Sequence, residues 1–106
     1  MKTEADLLVM LKNDLEIITD YMDRTAIAAK NAELTQYIKS AEVFITREGA
    51  TLTEDAHDDG DAQLIVMYAA WLYRARKSQV DVAMPRFLRW NLNNRIHQQK
   101  VREALE

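Results

Sequence analysis

Three observations predict an all-α fold, a small bundle of about four helices. Glycine occurs twice and proline once in 106 residues, whereas sheets joined by tight turns draw heavily on both. Apolar residues form 48% of the chain and recur through most of it at intervals of three and four, the helical spacing. One stretch, Leu64 to Tyr73 (LIVMYAAWLY), is uncharged over its whole length, and a helix apolar all round must be covered all round. A chain of this length fits one compact domain spanning residues 1–106.

The elements follow in order. Thr3 with Asp6 three positions later reads as a helix N-cap with an acid in the first turn. Leu7, Leu8, Met10 and Leu11 continue as one face, so a first helix is expected from about residue 4 to about 13, ending near Asn13-Asp14. Leu15, Ile17 and Ile18 form an apolar link. Residues 19–31 admit two readings, a helix capped by Thr19 or Asp23, or an irregular loop. From Ile27, the apolar positions Leu34, Ile38, Ala41 and Ile45 describe an amphipathic helix, its stripe widened by Val43 and Phe44. It should end near Glu48-Gly49, where Gly49 can take a left-handed cap conformation.

A polar connection from Thr51 to Asp61 precedes the uncharged stretch. Ala69-Ala70 and the continuation into Arg74-Ala75-Arg76-Lys77 favour helix over buried strand. Ten residues span about 15 Å, so the cover is protein and not lipid, and this helix should be the centre of the fold, with part of its surface open to another copy. Ser78 to Met84 forms a short link, and Pro85 suits a first helical position. The last helix carries Leu88, Leu92 and Ile96 on one stripe. Phe87, Trp90 and Val101 lie on a flanking stripe, interleaved with Asn94 and His97. The mostly polar last ten residues are expected to form a helical extension projecting from the body.

Charge divides the chain. Residues 1–70 hold 14 acids against 6 bases, a net of −8; residues 71–106 hold 8 bases against 3 acids, a net of +5. Opposite ends of this kind attract each other, within one chain or between neighbouring copies, or offer the basic end to nucleic acid. The overall charge of −3 favours the first. Cysteine is absent, which removes disulfides, thiolate catalysis and zinc-thiolate sites. The start MKTEADLL lacks the basic and apolar regions of a secretory signal, and no apolar run approaches the roughly 20 residues of a membrane span. A cytoplasmic protein, or one built into a particle in the cytoplasm, is expected.

The cluster Asp55, His57, Asp58, Asp59, Asp61 fails as a calcium loop. His57 is a poor oxygen-ligand substitute, and the closing bidentate acid would fall on Val66. Metal-dependent phosphohydrolases need further ligands, and only His97 remains elsewhere. These acids read instead as favourable charges at a helix N-terminus. No Gly-x-Ser-x-Gly elbow, phosphate-cradling loop or His-Glu-x-x-His occurs. Neither an enzyme nor a cofactor is expected. Tyr68, Trp71 and Tyr73 beside Arg74 and Arg76 match a base-stacking surface in composition, but aromatics in an uninterrupted apolar run belong to a core. Tyr73 and Arg76, near the helix end, suit a surface or subunit contact.

The segment DAQLIVMYAAWLYRARKS, followed after a short link by MPRFLRWNLNNR, resembles the small head–tail connector proteins of tailed bacteriophages, a family also labelled as DNA-packaging proteins. The matching positions are Trp71, Tyr73 and Arg76, then Met84-Pro85, Leu88, Leu92 and Arg95. LLVMLKNDLEI is similar to the family's opening helix, and ELTQYIKSAEVFITREG to its second long helix. Residues 18–31 are longer than the family's usual first link, and its common Glu between Tyr and Arg is replaced here by Arg74 or Ala75.

The resemblance implies a structural virion protein, assembled in the bacterial host cytoplasm and located at the head–tail interface. It implies a homo-oligomeric ring that docks on the portal protein and extends the DNA channel. The ring would pass DNA without reading its sequence and present a platform to the next head-completion or tail protein. Tyr73, Arg74, Arg76, Arg86, Arg89 and Arg95 are the expected subunit or portal contacts. The alternative is a small helical nucleic-acid-binding or regulatory protein that uses its basic C-terminal half on phosphates.

Overall fold

The computed structural model describes residues 1–53, 55–78 and 83–106. Four helices make up most of the described chain: α1 (Glu4–Asp14), α2 (Arg24–Glu48), α3 (Asp59–Lys77) and α4 (Arg86–Leu105). The small all-helical bundle expected from composition is the observed fold. Most of the expected link from Ser78 to Met84, residues 79–82, lies outside the described residues.

Each helix boundary has a local chemical cause. Thr3 and Asp6 close a reciprocal capping box at the start of α1. The Thr3 amide donates to Asp6 Oδ2 at 2.9 Å, and the Asp6 amide donates back to Thr3 Oγ1 at 3.4 Å. The bonds donated by Thr3, backbone first, hold the Asp6 carboxyl below its ordinary range. At the other end, Ile17 N–H donates to Lys12 O and Glu16 N–H to Asn13 O, the paired bonds of a Schellman cap. Its left-handed position is held by Glu16, with φ of 56°, where glycine is usual.

Of the two caps open to the second helix, Asp23 is the one used: its carboxylate accepts from Ala26 N–H at 2.7 Å, and α2 begins at Arg24. Thr19 instead accepts, through its carbonyl, from Met22 N–H in a turn. Residues 15–23 are therefore an irregular link. Gly49 ends α2 with φ of 121°, as its position suggested. Asp58 caps α3 through the Asp61 amide at 2.8 Å, with Asp59 and Asp61 in the first turn and Arg74, Arg76 and Lys77 in the last, each sign matched to the helix dipole. Pro85 stands one place outside its expected position, as the cap residue before α4. Its carbonyl accepts from Leu88 and Arg89 N–H.

Sequence patterning does not reveal one feature. A two-residue strand β1 (Lys2–Thr3) pairs antiparallel with β2 (Ala56–His57), Lys2 opposite His57. The pair ties the start of α1 to the connection before α3.

Helix α3 is the central rod. Leu64, Ile65, Val66, Tyr68, Ala69 and Ala70 are buried, and Met67, Trp71, Leu72 and Tyr73 are partly buried against the same core. Most of the cover that an all-round apolar helix requires therefore comes from this chain: Leu7 and Leu11 from α1, Leu34, Tyr37, Ile38, Ala41 and Ile45 from α2, and Leu88 and Leu92 from α4. Aromatic pairs lock α2 to α3. Phe44 stacks on Tyr68 at 4.4 Å and 9°, and Tyr37 meets Tyr73 edge-on at 5.4 Å. Burial pushes the Tyr68 hydroxyl pKa up. The final residues of α4, from Lys100 onward, are exposed along their whole length, a helical extension as expected.

Candidate interaction surface

The basic C-terminal part meets the acidic N-terminal part inside the chain. Arg74 reaches Asp14 at 3.6 Å, Lys77 reaches Glu33 at 3.1 Å, Arg89 reaches Glu48 at 3.2 Å and Arg95 reaches Asp61 at 2.6 Å. Each pair joins a base after residue 70 to an acid before it, so a large share of the charge asymmetry is resolved within the chain.

The six residues expected at a subunit or portal contact separate accordingly. Arg95 is the most committed. Its Nε and one Nη grip both oxygens of Asp61, the same Nη donates to Thr51 O at 2.9 Å, and the other donates to Gln99 Oε1 at 2.8 Å. Gln99 in turn donates to Gly49 O and accepts from Thr51 N–H. This bidentate pair fastens α4 to the start of α3 and to the end of α2. The Asp61 carboxylate keeps the Arg95 guanidinium protonated still more firmly than usual. Arg95 is thus an internal clamp.

Tyr73 is also largely engaged. Its ring lies against Tyr37, its hydroxyl oxygen accepts from Lys30 Nζ at 3.3 Å, and the ammonium groups of Lys30 and Lys77 sit 5.5 and 5.3 Å from the ring centroid. Glu33 completes this group, its carboxyl held below the ordinary glutamate range chiefly by the hydrogen bond from Lys77. Arg74 donates to Asp14 O at 3.0 Å. Arg76 lies 5.3 Å over the Tyr37 ring, and Arg89 lies 5.8 Å over Phe44. Arg86 is exposed, with no ion pair among the described residues.

His57 is 3% exposed, with Nε2 3.6 Å from Glu42 Oε2. Among the described residues no three His, Asp or Glu side chains converge as a metal site. Asp58 and Asp61 of the same acidic run serve the cap and the Arg95 pair.

Exposed apolar surface concentrates on α4. Phe87 is 60% exposed, Trp90 63% and Val101 46%. At 100° per residue, positions 87, 90, 94, 97 and 101 form one stripe. Expected to flank the stripe of Leu88, Leu92 and Ile96, it instead lies nearly opposite it and away from the core. Helix α4 therefore has two apolar faces and covers only one of them. A groove of about 530 Å³ at its head is lined by Met84, Arg86, Arg89, Trp90 and Asn93. On the α3 side a second groove of about 490 Å³ is amide-rich, with Gln63, Asn91, Asn94 and Gln98 among its lining residues. Patterning places both stripes on the last helix. It does not separate the paired cations from Arg76, Arg86, Lys100 and Arg102, which have no ion pair among the described residues, because the ion pairs join residues 34 to 60 positions apart.

No family model matches the chain, and neither a curated protein nor a solved structure matches it.

Proposed function

We propose that the protein is a structural subunit of the head–tail connector type, non-catalytic, working as a ring on the portal of a tailed-phage head. In this role it extends the DNA channel and carries the next head-completion or tail protein. The observation that carries the proposal is the second apolar face of α4. Phe87 and Trp90 stand in water on a helix whose other face already serves the core, and large exposed aromatics of this kind mark contact surfaces. The sequence resemblance through Trp71-x-Tyr73, Met84-Pro85 and the last helix points the same way.

The rival reading, a helical nucleic-acid-binding protein, needs cations free to neutralise phosphates. Of the eight bases after residue 70, Arg74, Lys77, Arg89 and Arg95 are paired with carboxylates, so the rival reading rests on the other four, Arg76, Arg86, Lys100 and Arg102, alone. Native mass spectrometry with negative-stain imaging, at high protein concentration, alone and with a portal protein, tests the proposal. Rings, or assembly that depends on the portal, are the expected result. A chain that stays monomeric in both conditions refutes it, and salt-sensitive binding of that monomer to duplex DNA selects the rival.

A further inference from the structure

The outer face of α4 constrains what can cover it. Arg86 and Lys100 lie on one flank of the Phe87–Trp90–Val101 stripe, and between Arg86 and Arg102 the helix contains no acid. The acid of the helix, Glu103, falls on the side of the Leu88–Leu92–Ile96 stripe, so two outer faces of α4 laid together would bring cationic and neutral flanks against each other with no α4 carboxylate between them. The fitting occupant is therefore apolar and acidic.

The chain exposes such a segment. From Glu16 to Asp23 it has three acids (Glu16, Asp20, Asp23) and no base, and between them Ile18 is 66% and Tyr21 94% exposed. Tyr21 is the most exposed of the large apolar side chains. The segment begins at Glu16, whose left-handed backbone, φ 56°, costs a non-glycine residue on the order of 1 kcal/mol, so the loop's course away from α1 is held by the Schellman cap.

We propose that the Glu16–Asp23 loop of a second copy seats on the outer face of α4, with Tyr21 and Ile18 covering Trp90 and Phe87 and with Glu16 and Asp20 facing Arg86. The contact rests on the ring reading and specifies its two surfaces. It is heterologous, one patch meeting a different patch on the neighbour, the interface type that gives a ring when the rotation between copies closes and a filament when it does not. Four exposed apolar side chains of this size contribute on the order of 500 Å², against the roughly 1,200–2,000 Å² of a standard stable interface. A single such contact is weak, and a closed ring in which each copy uses both surfaces holds together.

The absence of cysteine makes the test free of background. Arg24→Cys, beside the loop, and Asn93→Cys, in the α4 groove, are both exposed positions and leave the proposed anchors intact. Mixing the two single variants with a short bis-maleimide should give a two-chain product well above that of either variant alone. Arg86→Glu in the Asn93→Cys chain should reduce the yield roughly fivefold or more, and Asp20→Lys in the Arg24→Cys chain should restore it. Circular dichroism confirms that each variant is folded. A product from Asn93→Cys alone means α4 pairs with α4 and overturns the proposal, as does absence of product at the highest soluble concentration. Imaging of the unmodified chain with a portal separates the two claims. Rings without the mixed product refute this contact and leave the ring reading standing; the mixed product without rings does the reverse.

Discussion

Replacing Arg95 with methionine removes the guanidinium that both oxygens of Asp61 accept from and keeps most of the side-chain volume. Asp61 is 7% exposed, so its carboxylate is left nearly without water and without its cation. Breaking a fully buried pair from one side costs about 3–5 kcal/mol. The Arg95 side chain retains 23% of its exposure, and water reaching it screens part of the loss, so about 2–3 kcal/mol is expected. The bond to Thr51 O is included in that figure. For a domain of this size, this corresponds to a melting temperature lower by roughly 10–20 °C and a urea midpoint lower by roughly 1–2 M.

The double variant Asp61→Leu/Arg95→Met distinguishes the cause. With both charges gone, nothing remains buried and unpaired, and at least half of the lost stability should return. Urea unfolding of the parent, both single variants and the double variant measures the cycle. An Arg95→Met chain within about 0.5 kcal/mol of the parent, a typical surface effect, refutes the reasoning. So does a double variant whose loss equals the sum of the singles.

Gly49→Ala is expected to cost about 1–2 kcal/mol from the backbone alone. The nearest atom to the added methyl is Ile96 Cγ2 at 3.8 Å, an ordinary contact, so a milder loss in thermal unfolding would show that φ of 121° carries no strain. Thr3→Ala opens the capping box and should lower stability by about 1 kcal/mol; exchange protection of the first α1 amides, if unchanged, contradicts this. Glu33 has its folded pKa lowered by Lys77, so its contribution is present above the ordinary glutamate value of 4.5 and lost as pH falls through the depressed value. The stability difference between the parent and Lys77→Gln should therefore be constant from pH 7 to 5 and shrink below that in urea titrations; a difference that grows on acidification has the wrong sign.

The helices were legible because their signals are local. Thr3 with Asp6, and Gly49, act within four residues of themselves, and the period of Leu34, Ile38, Ala41 and Ile45 needs no partner to be recognised. The end of α1 was visible only approximately, since Glu16 occupies a position where glycine would have announced the cap. The β1–β2 pair joins residues 2 and 57 through two residues each, too short for any alternation to appear. At the candidate surface the same division holds. Phe87, Trp90 and Val101 stood out as a second stripe, but nothing in their spacing says which stripe is covered.

Composition, local caps and apolar period determined that this chain is a four-helix bundle around LIVMYAAWLY, because those signals act through backbone conformation and the removal of apolar surface from water. Which bases are consumed and which remain free was decided only by the tertiary structure. Arg95 and Arg86 are the same residue type on one helix, nine positions apart, yet one grips Asp61 while the other stands in solvent. An ion pair depends on what the fold brings within about 4 Å, and that distance is a property of the packed helices.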